Sequence, residues 1–333
     1  MEVFSMFEWT KILLVVFTVG HITGPLLTKH LTGGFAKLFR SMGLENRMGE
    51  IPILERKSES EMVFCLPPGL CGQDFHSNYE RIKAFIGKDF EVLEEPGKVY
   101  LRFFGDLPVV LSFEPVKSDK VCIGKDLHDE SVFMEFSDEF PHWLIAGTSG
   151  SGKSNTLHVI LNQILYNNLG RVFIVDLKAG VEFDRYKDCV KIVDNVDNVG
   201  ILLDELLEEM YRRFEVMKKD RKADFERVFL VIDEYASIAL EKDLVFKLDE
   251  ILRLSRAVKI HVIISTQKPD AKTLDTRLKA NIQGIIGLRA VNQYESRIII
   301  GHSGLENLGK PGRAIIRDRN EKEIQIFYFE PTE

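Results

Sequence analysis

Residues Gly147, Thr148, Ser149, Gly150, Ser151, Gly152, Lys153 and Ser154 follow the spacing G-x-x-x-x-G-K-[ST]. Glycines let backbone N–H groups turn inward around phosphate oxygens, where a β-carbon would obstruct the approach. An apolar run, Trp143 to Ala146, leads into the loop. Lys153 to Tyr166 follows it, with Leu157, Ile160, Leu161, Ile164 and Leu165 at helical spacing. A strand, a loop and a helix in that order aim the positive end of the helix at the anion. The spacing assigns Lys153 to the β- and γ-phosphates of a nucleoside triphosphate and Ser154 to a Mg2+ ion. Gly147 through Ser154, with Asn155 in the first helical turn, form the nucleotide-binding set.

A second apolar run, Val228 to Ile232, ends in Asp233 and Glu234. A buried strand that ends in aspartate places a carboxylate beside the bound Mg2+, and the adjacent glutamate is positioned to accept a proton from an attacking water. The pair therefore points to hydrolysis as well as binding. Ile260 to Ser265 reads as another buried strand, and Gln267 just beyond it is a candidate to orient water or sense the γ-phosphate, since open α/β sheets place ligands at strand carboxyl ends. The stretch Asp270 to Asn320 is locally basic, with Lys272, Arg277, Lys279, Arg289, Arg297, Lys310, Arg313, Arg317 and Arg319. Two uses fit it: phosphate contacts, or an arginine reaching a neighbouring subunit's nucleotide. Solvated helix faces account for it equally from charge alone.

These residues need a scaffold. From Val121 to Phe329, strand-like and helix-like runs alternate, as in a mostly parallel sheet flanked by helices. The further strands are Val172 to Val175, Ile285 to Leu288 and Ala314 to Ile316, and Ile201 to Met217 is a long amphipathic helix. Three segments result: 1–48 as an anchor or amphipathic segment, 49–118 as a small α/β module, and 119–333 as the nucleotide-binding domain. In the module, Glu61 to Leu66, Phe90 to Leu93, Val99 to Phe104 and Val109 to Phe113 read as strands, and Asn78 to Gly87 as a helix.

Ile12 to Val19 is continuously apolar, extending with interruptions to Leu27, against the ~20 residues that a full crossing wants. Lys29, His30, Lys37 and Arg40 follow it, which would place the remainder on the cytoplasmic side. A single span and an amphipathic surface helix both fit. The scattered cysteines Cys65, Cys71, Cys122 and Cys189 match neither a zinc motif nor a disulfide framework. A net charge of −7 argues against a uniformly basic nucleic-acid binder, though a ring needs positive charge only along its pore.

Several stretches in a fixed order resemble the FtsK/SpoIIIE motor, within the FtsK–HerA group of RecA-like ATPases. They are IGKDLHDESVFMEF, PHWLIAGTSGSGKS, FIVDLKAGVEF, MYRRFEVM, FLVIDEYASI, RAVKIHVIISTQKPDAKTLDTRLKANI, YESRIIIG and LGKPGRAIIR. The resemblance implies a RecA-like P-loop fold binding ATP and Mg2+, assembled as a hexameric ring around double-stranded DNA. It implies that the Gln267 strand lies between the strands of Lys153 and Asp233, and that Arg297 or Arg289 completes a neighbour's ATP site. A small motor with at most one membrane segment is similar to the coupling ATPases of conjugative elements, which sit at the cytoplasmic face of the bacterial cell membrane. Export ATPases of type VII secretion and chromosome-segregation pumps are the alternatives.

Overall fold

A computed structural model describes residues 34–105, 107–178, 182–267 and 276–330, with main chain alone at 276 and 277. They fall into two compact units, one ending at Gly105 and one beginning at Asp106. The apolar run of residues 12–27 lies outside the described residues, and among those described no helix is long and apolar enough to cross a membrane.

Phenylalanines build the core of the first unit. Helix α1 (34–41), strands β1 (Ile53–Lys57) and β2 (Glu61–Cys65), helices α2 (Gly72–Ser77) and α3 (Tyr79–Ile86), and strands β3 (Phe90–Glu95) and β4 (Lys98–Phe103) follow in order. The sheet order is β1-β2-β4-β3, antiparallel throughout. Val99, Leu101 and Phe103 alternate inward along β4, the period-2 pattern of a sheet with one buried face. Phe35 and Phe39 of α1 meet Phe64 edge-on, with ring centroids 5.2 and 5.4 Å apart. The core of this unit therefore reaches back before residue 49, into the segment assigned to the anchor. Val109 to Phe113, assigned from the sequence to the module, belongs to the second unit and forms no strand: Ser112 makes a single bridge to Tyr328, and Leu111 and Phe113 pack against that unit's core.

The second unit is a ten-stranded sheet: β5 (Val121–Asp126), β6 (Ser131–Met134), β7 (Trp143–Ala146), β8 (Gly170–Val175), β9 (Lys191–Val193), β10 (Arg227–Ile232), β11 (Ile260–Thr266), β12 (Gly284–Leu288), β13 (Arg313–Arg317) and β14 (Glu321–Ile326). The order is β6-β5-β14-β13-β12-β7-β11-β10-β8-β9. From β12 to β9 neighbours run parallel, and the remaining pairs are antiparallel. Strands β7 and β11 are buried along their whole length, as expected where helices cover both faces. Successive residues feed opposite cores. Leu144 and Ala146 join Leu202, Leu206 and Met210 of α5 (Val196–Lys219) and Leu248 and Ile251 of α6 (Lys242–Leu254). Trp143 and Ile145 join Leu157, Ile160 and Ile164 of α4 (Lys153–Tyr166). Two short helices, α7 (Thr276–Ala280) and α8 (Gln293–Ile300), precede and follow β12.

The loop between β7 and α4 is held from behind by main chain. Gly312 N–H donates to Ser151 O at 2.9 Å, and Thr148 N–H donates to Arg289 O at 2.8 Å. The clamp requires glycine on both sides. A β-carbon on Gly152 would lie 3.0 Å from Gly312 N, and Gly312 itself sits at φ +77° with Gln325 Nε2 2.7 Å from where its β-carbon would be. Asn155 fixes the same region from α4: its amide donates to Phe327 O at 2.7 Å and accepts from Phe329 N–H at 2.8 Å.

At the opposite end of the central strands, two histidines are buried and neutral. His142 Nδ1 accepts from Val262 N–H at 3.0 Å, and His261 Nδ1 lies 3.0 Å from Pro141 O. Burial pushes His142 down to about 3, helped by His261, and burial also takes His261 down to about 4. Both values fall below the unfolded value of 6.5, so the unfolded chain takes up protons first as pH drops. Stability from this pair is complete above pH ~6.5 and is lost progressively as pH falls toward about 3. Urea unfolding at pH 6.5 and 4.5 checks this. A His142→Asn/His261→Asn double variant should show a shallower pH slope than the parent, and equal slopes would remove the account. Gly312→Ala should weaken nucleotide binding about tenfold or more, because a left-handed alanine alone costs about 1–2 kcal/mol and its β-carbon displaces Gln325. A fluorescent nucleotide titration measures it, and unchanged affinity would contradict the clamp.

Candidate active site

The carboxyl ends of β7, β11, β10 and β8 lie side by side, because these strands are neighbours and parallel. Strand β11 does lie between β7 and β10. The residue that follows each strand carries a functional side chain or loop: Gly147 after β7, Gln267 after β11, Asp233 after β10 and Asp176 after β8.

Lys153 is buried, and its ammonium donates to Gly147 O at 2.8 Å and Thr148 O at 2.7 Å. Burial lowers its pKa to about 8, opposed by the charges of Glu234 and Asp233, so at pH 7 it stays mainly protonated. Gly150 and Gly152 take φ +73° and +109°, the backbone turn that points successive N–H groups to one side. The Thr148 hydroxyl is buried and has no hydrogen-bond partner among the described residues. An inward-turned loop, a buried ammonium and an unpartnered hydroxyl suit a polyphosphate. Ser149 and Gly150 are exposed at the loop tip. Asn155, grouped with the nucleotide set from its position, has its side chain committed to the main chain of residues 327–329.

Asp233 is nearly fully buried, and its Oδ2 pairs with Lys178 Nζ at 2.8 Å. Ser154 and Asp233 offer oxygen donors only, the chemistry of a hard cation such as Mg2+ whose other ligands come from phosphate and water. Glu234 is fixed by the next strand: Thr266 Oγ1 donates to it at 2.9 Å, and Gln267 N–H lies 3.1 Å from Oε2 and 3.2 Å from Oε1. Gln267 thus meets Glu234 through its main chain. A carboxylate held this way keeps a fixed direction for accepting a proton.

Two residues here were not assigned from the sequence. Asp176 is completely buried: its Oδ1 accepts from Lys178 N–H at 3.0 Å, and its Oδ2 has no partner among the described residues. Burial and the Asp233 charge raise its pKa, against the Lys178 N–H. Both stand in the stretch FIVDLK, where a strand ending in aspartate was the available signal. His158, one turn into α4, forms a third feature. It bonds the Tyr186 hydroxyl at 2.8 Å and stacks on Phe329 with a centroid distance of 5.4 Å.

The basic stretch divides into two groups. Lys279 donates to Ile298 O and Arg317 to Ile300 O, capping the last carbonyls of α8. Arg313 donates to Leu107 O at 3.1 Å, and Arg319 donates to Glu139 at 2.8 Å. Arg289, Arg297 and Lys310 are exposed. Lys272 lies outside the described residues, as does the side chain of Arg277. Arg289 touches the nucleotide loop through its carbonyl, whereas Arg297 stands on α8.

The FtsK/SpoIIIE family model matches residues 114–317. The DNA translocase FtsK of Campylobacter jejuni (strain 81-176) is 28% identical over 261 residues, covering 68% of this chain and 27% of that protein. The DNA translocase FtsK of Staphylococcus epidermidis (strain RP62A) is 26% identical, covering 57% of this chain and 27% of that protein. The chain thus spans about a quarter of the length of these relatives. Among solved structures, the pCW3 conjugation coupling protein TcpA, in its monomer form with ATPγS, superposes with a TM-score of 0.64 at 21% identity, covering 90% of this chain and 95% of that one. The cytoplasmic domain of the type VII secretion ATPase EccC from Thermomonospora curvata gives 0.58 at 22% identity, covering 67% and 30%. Read with the phosphate loop, the Asp233–Glu234 pair and the parallel sheet that aligns them, the match over residues 114–317 places this chain in the FtsK/SpoIIIE family.

Proposed function

We propose that this chain is an ATP-driven DNA translocase motor, working as a membrane-associated coupling ATPase in conjugative transfer at the cytoplasmic face of a bacterial cell membrane. The observation that carries hydrolysis is the Glu234 carboxylate, oriented by Thr266 and Gln267 in the charged cluster that also holds Lys153 and Asp233. Lys153 and the loop N–H groups bind and orient the triphosphate, and Glu234 takes the proton of the attacking water. Mg2+, when held by Ser154 and Asp233, supplies positive charge to the phosphate oxygens. DNA as the cargo rests on family membership and on relatives named as DNA translocases. Conjugation rests on the likeness to TcpA over most of both chains. In a hexameric ring encircling double-stranded DNA, Arg289 or Arg297, both exposed, is available to the neighbouring subunit's phosphates.

The likeness to EccC supports a second reading, ATP-driven protein export. Phosphate release by the full chain, without DNA and with single- or double-stranded DNA, separates the two. Stimulation by double-stranded DNA is expected, and hydrolysis indifferent to every DNA form would transfer the assignment to export. Glu234→Gln should lower turnover by about a hundredfold or more while nucleotide binding survives, as for loss of a general base. Lys153→Ala should weaken nucleotide binding itself. Turnover within a few-fold of the parent in Glu234→Gln would rule that residue out as the base.

A further inference from the structure

The carboxylate that serves the cation already has a positive partner from its own chain. Lys178 Nζ lies 2.8 Å from Asp233 Oδ2, and the side chains are 42% and 4% exposed. Asp233 is therefore a deeply placed acceptor, and Lys178 covers it from the solvent side. The base of the lysine is tethered, since Lys178 N–H donates to Asp176 Oδ1 at 3.0 Å, while its long stem leaves the ammonium able to swing outward.

We propose that Lys178 is an exchangeable counter-ion for the cation site, holding the Asp233 charge until Mg2+ displaces it. The inference rests on the reading that Asp233 serves the cation. A buried carboxylate needs a positive neighbour, and the ammonium and a divalent cation would draw on the same negative charge. Two cations crowded onto one carboxylate repel strongly where water is scarce, so arrival of the metal and departure of the ammonium become one event. Asp176 positions the exchange by fixing the lysine main chain through its Oδ1, and it is itself fully buried. Lys178 thereby tunes metal affinity downward and keeps Asp233 paired while the metal is absent. The opposite role is a static ion pair that orients Asp233 and assists the metal. The two roles predict changes of opposite sign when the lysine charge is removed.

The test measures Mn2+ affinity of the ADP complex of the full chain by electron paramagnetic resonance. Metal-free binding of a fluorescent ADP analogue in EDTA serves as the check that each variant retains its loop. Lys178→Met keeps the stem and removes the charge, and it should bind Mn2+ about tenfold more tightly than the parent. Unchanged or weaker Mn2+ binding, with EDTA-phase nucleotide binding intact, would overturn the proposal. Asp233→Asn separates the underlying reading. Its loss of Mn2+ affinity supports Asp233 as the cation's carboxylate, and parent-like affinity removes that reading and the proposal with it. The unmodified protein gives a second measurement that needs no substitution. Acylation of Lys178 by an amine-reactive ester, followed by mass spectrometry, should be several-fold faster with Mg2+ and ADP than with ADP and EDTA. Equal or slower labelling with Mg2+ would count against exchange.

Discussion

Lys153, Asp176, Lys178, Asp233 and Glu234 place charge at the carboxyl ends of adjacent strands, and three of them are almost entirely removed from solvent. Isolated charges at that depth would neutralise or destabilise the fold, so each must find an opposite partner or a dipole. The rest of the domain can be understood as meeting that demand. Parallel strands bring the ends into line, and helices on both faces exclude water from them. The Lys153 ammonium rests on two loop carbonyls, Asp233 takes Lys178, and Glu234 takes the Gln267 N–H with the Thr266 hydroxyl. Each of these three side chains has its partner, beside a loop turned inward for phosphate.

Much of this was legible because it is local. Trp143 to Ala146 and Val228 to Ile232 are apolar without interruption and Ile260 to Ser265 is broken only by His261 and its last residue, Ser265, which marks strands buried on both faces, and all three lie at the centre of the sheet. The loop spacing G-x-x-x-x-G-K-S fixes residue roles through backbone geometry that eight residues suffice to define. What escaped was non-local. Lys178 meets Asp233 across 55 residues, and Asn155 meets Phe327 across 172, separations at which neither partner carries a periodic signal. The edges were less legible for a related reason. Val109 to Phe113 has strand-like composition, but it forms a single bridge to Tyr328, with Val109 and Val110 left exposed. Phe35 and Phe39 fall within the 1–48 segment read as an anchor or amphipathic stretch, and their burial with Phe64 becomes visible only once β2 is in place.

The basic stretch shows why a count of charges is a weak guide. Its residues looked alike in sequence, yet Lys279 and Arg317 neutralise the negative end of α8, and Arg313 and Arg319 bind Leu107 O and Glu139. These cations are spent on the fold. Arg289, Arg297, Lys310 and Arg319 are the described members of the stretch that stand exposed, and Arg289 and Lys310 flank the clamp behind the nucleotide loop.

That placement bears on how phosphate chemistry reaches the surface. Thr148 N–H bonds the carbonyl of Arg289, so the residue with the exposed guanidinium shares a main-chain hydrogen bond with the phosphate loop. Lys310 lies two residues before Gly312, whose N–H bonds Ser151. Because Gly152 and Gly312 approach backbone to backbone, no flexible side chain stands between them to absorb a displacement. Any adjustment of the loop around a triphosphate is therefore shared with the chain segments that carry Arg289 and Lys310. On the third side, Glu234 holds the main chain of Gln267, where β11 leads into the basic stretch. Loop and base are thus each tied by hydrogen bonds to main chain of segments that carry or lead into the basic stretch, so hydrolysis chemistry and surface positive charge share one backbone framework.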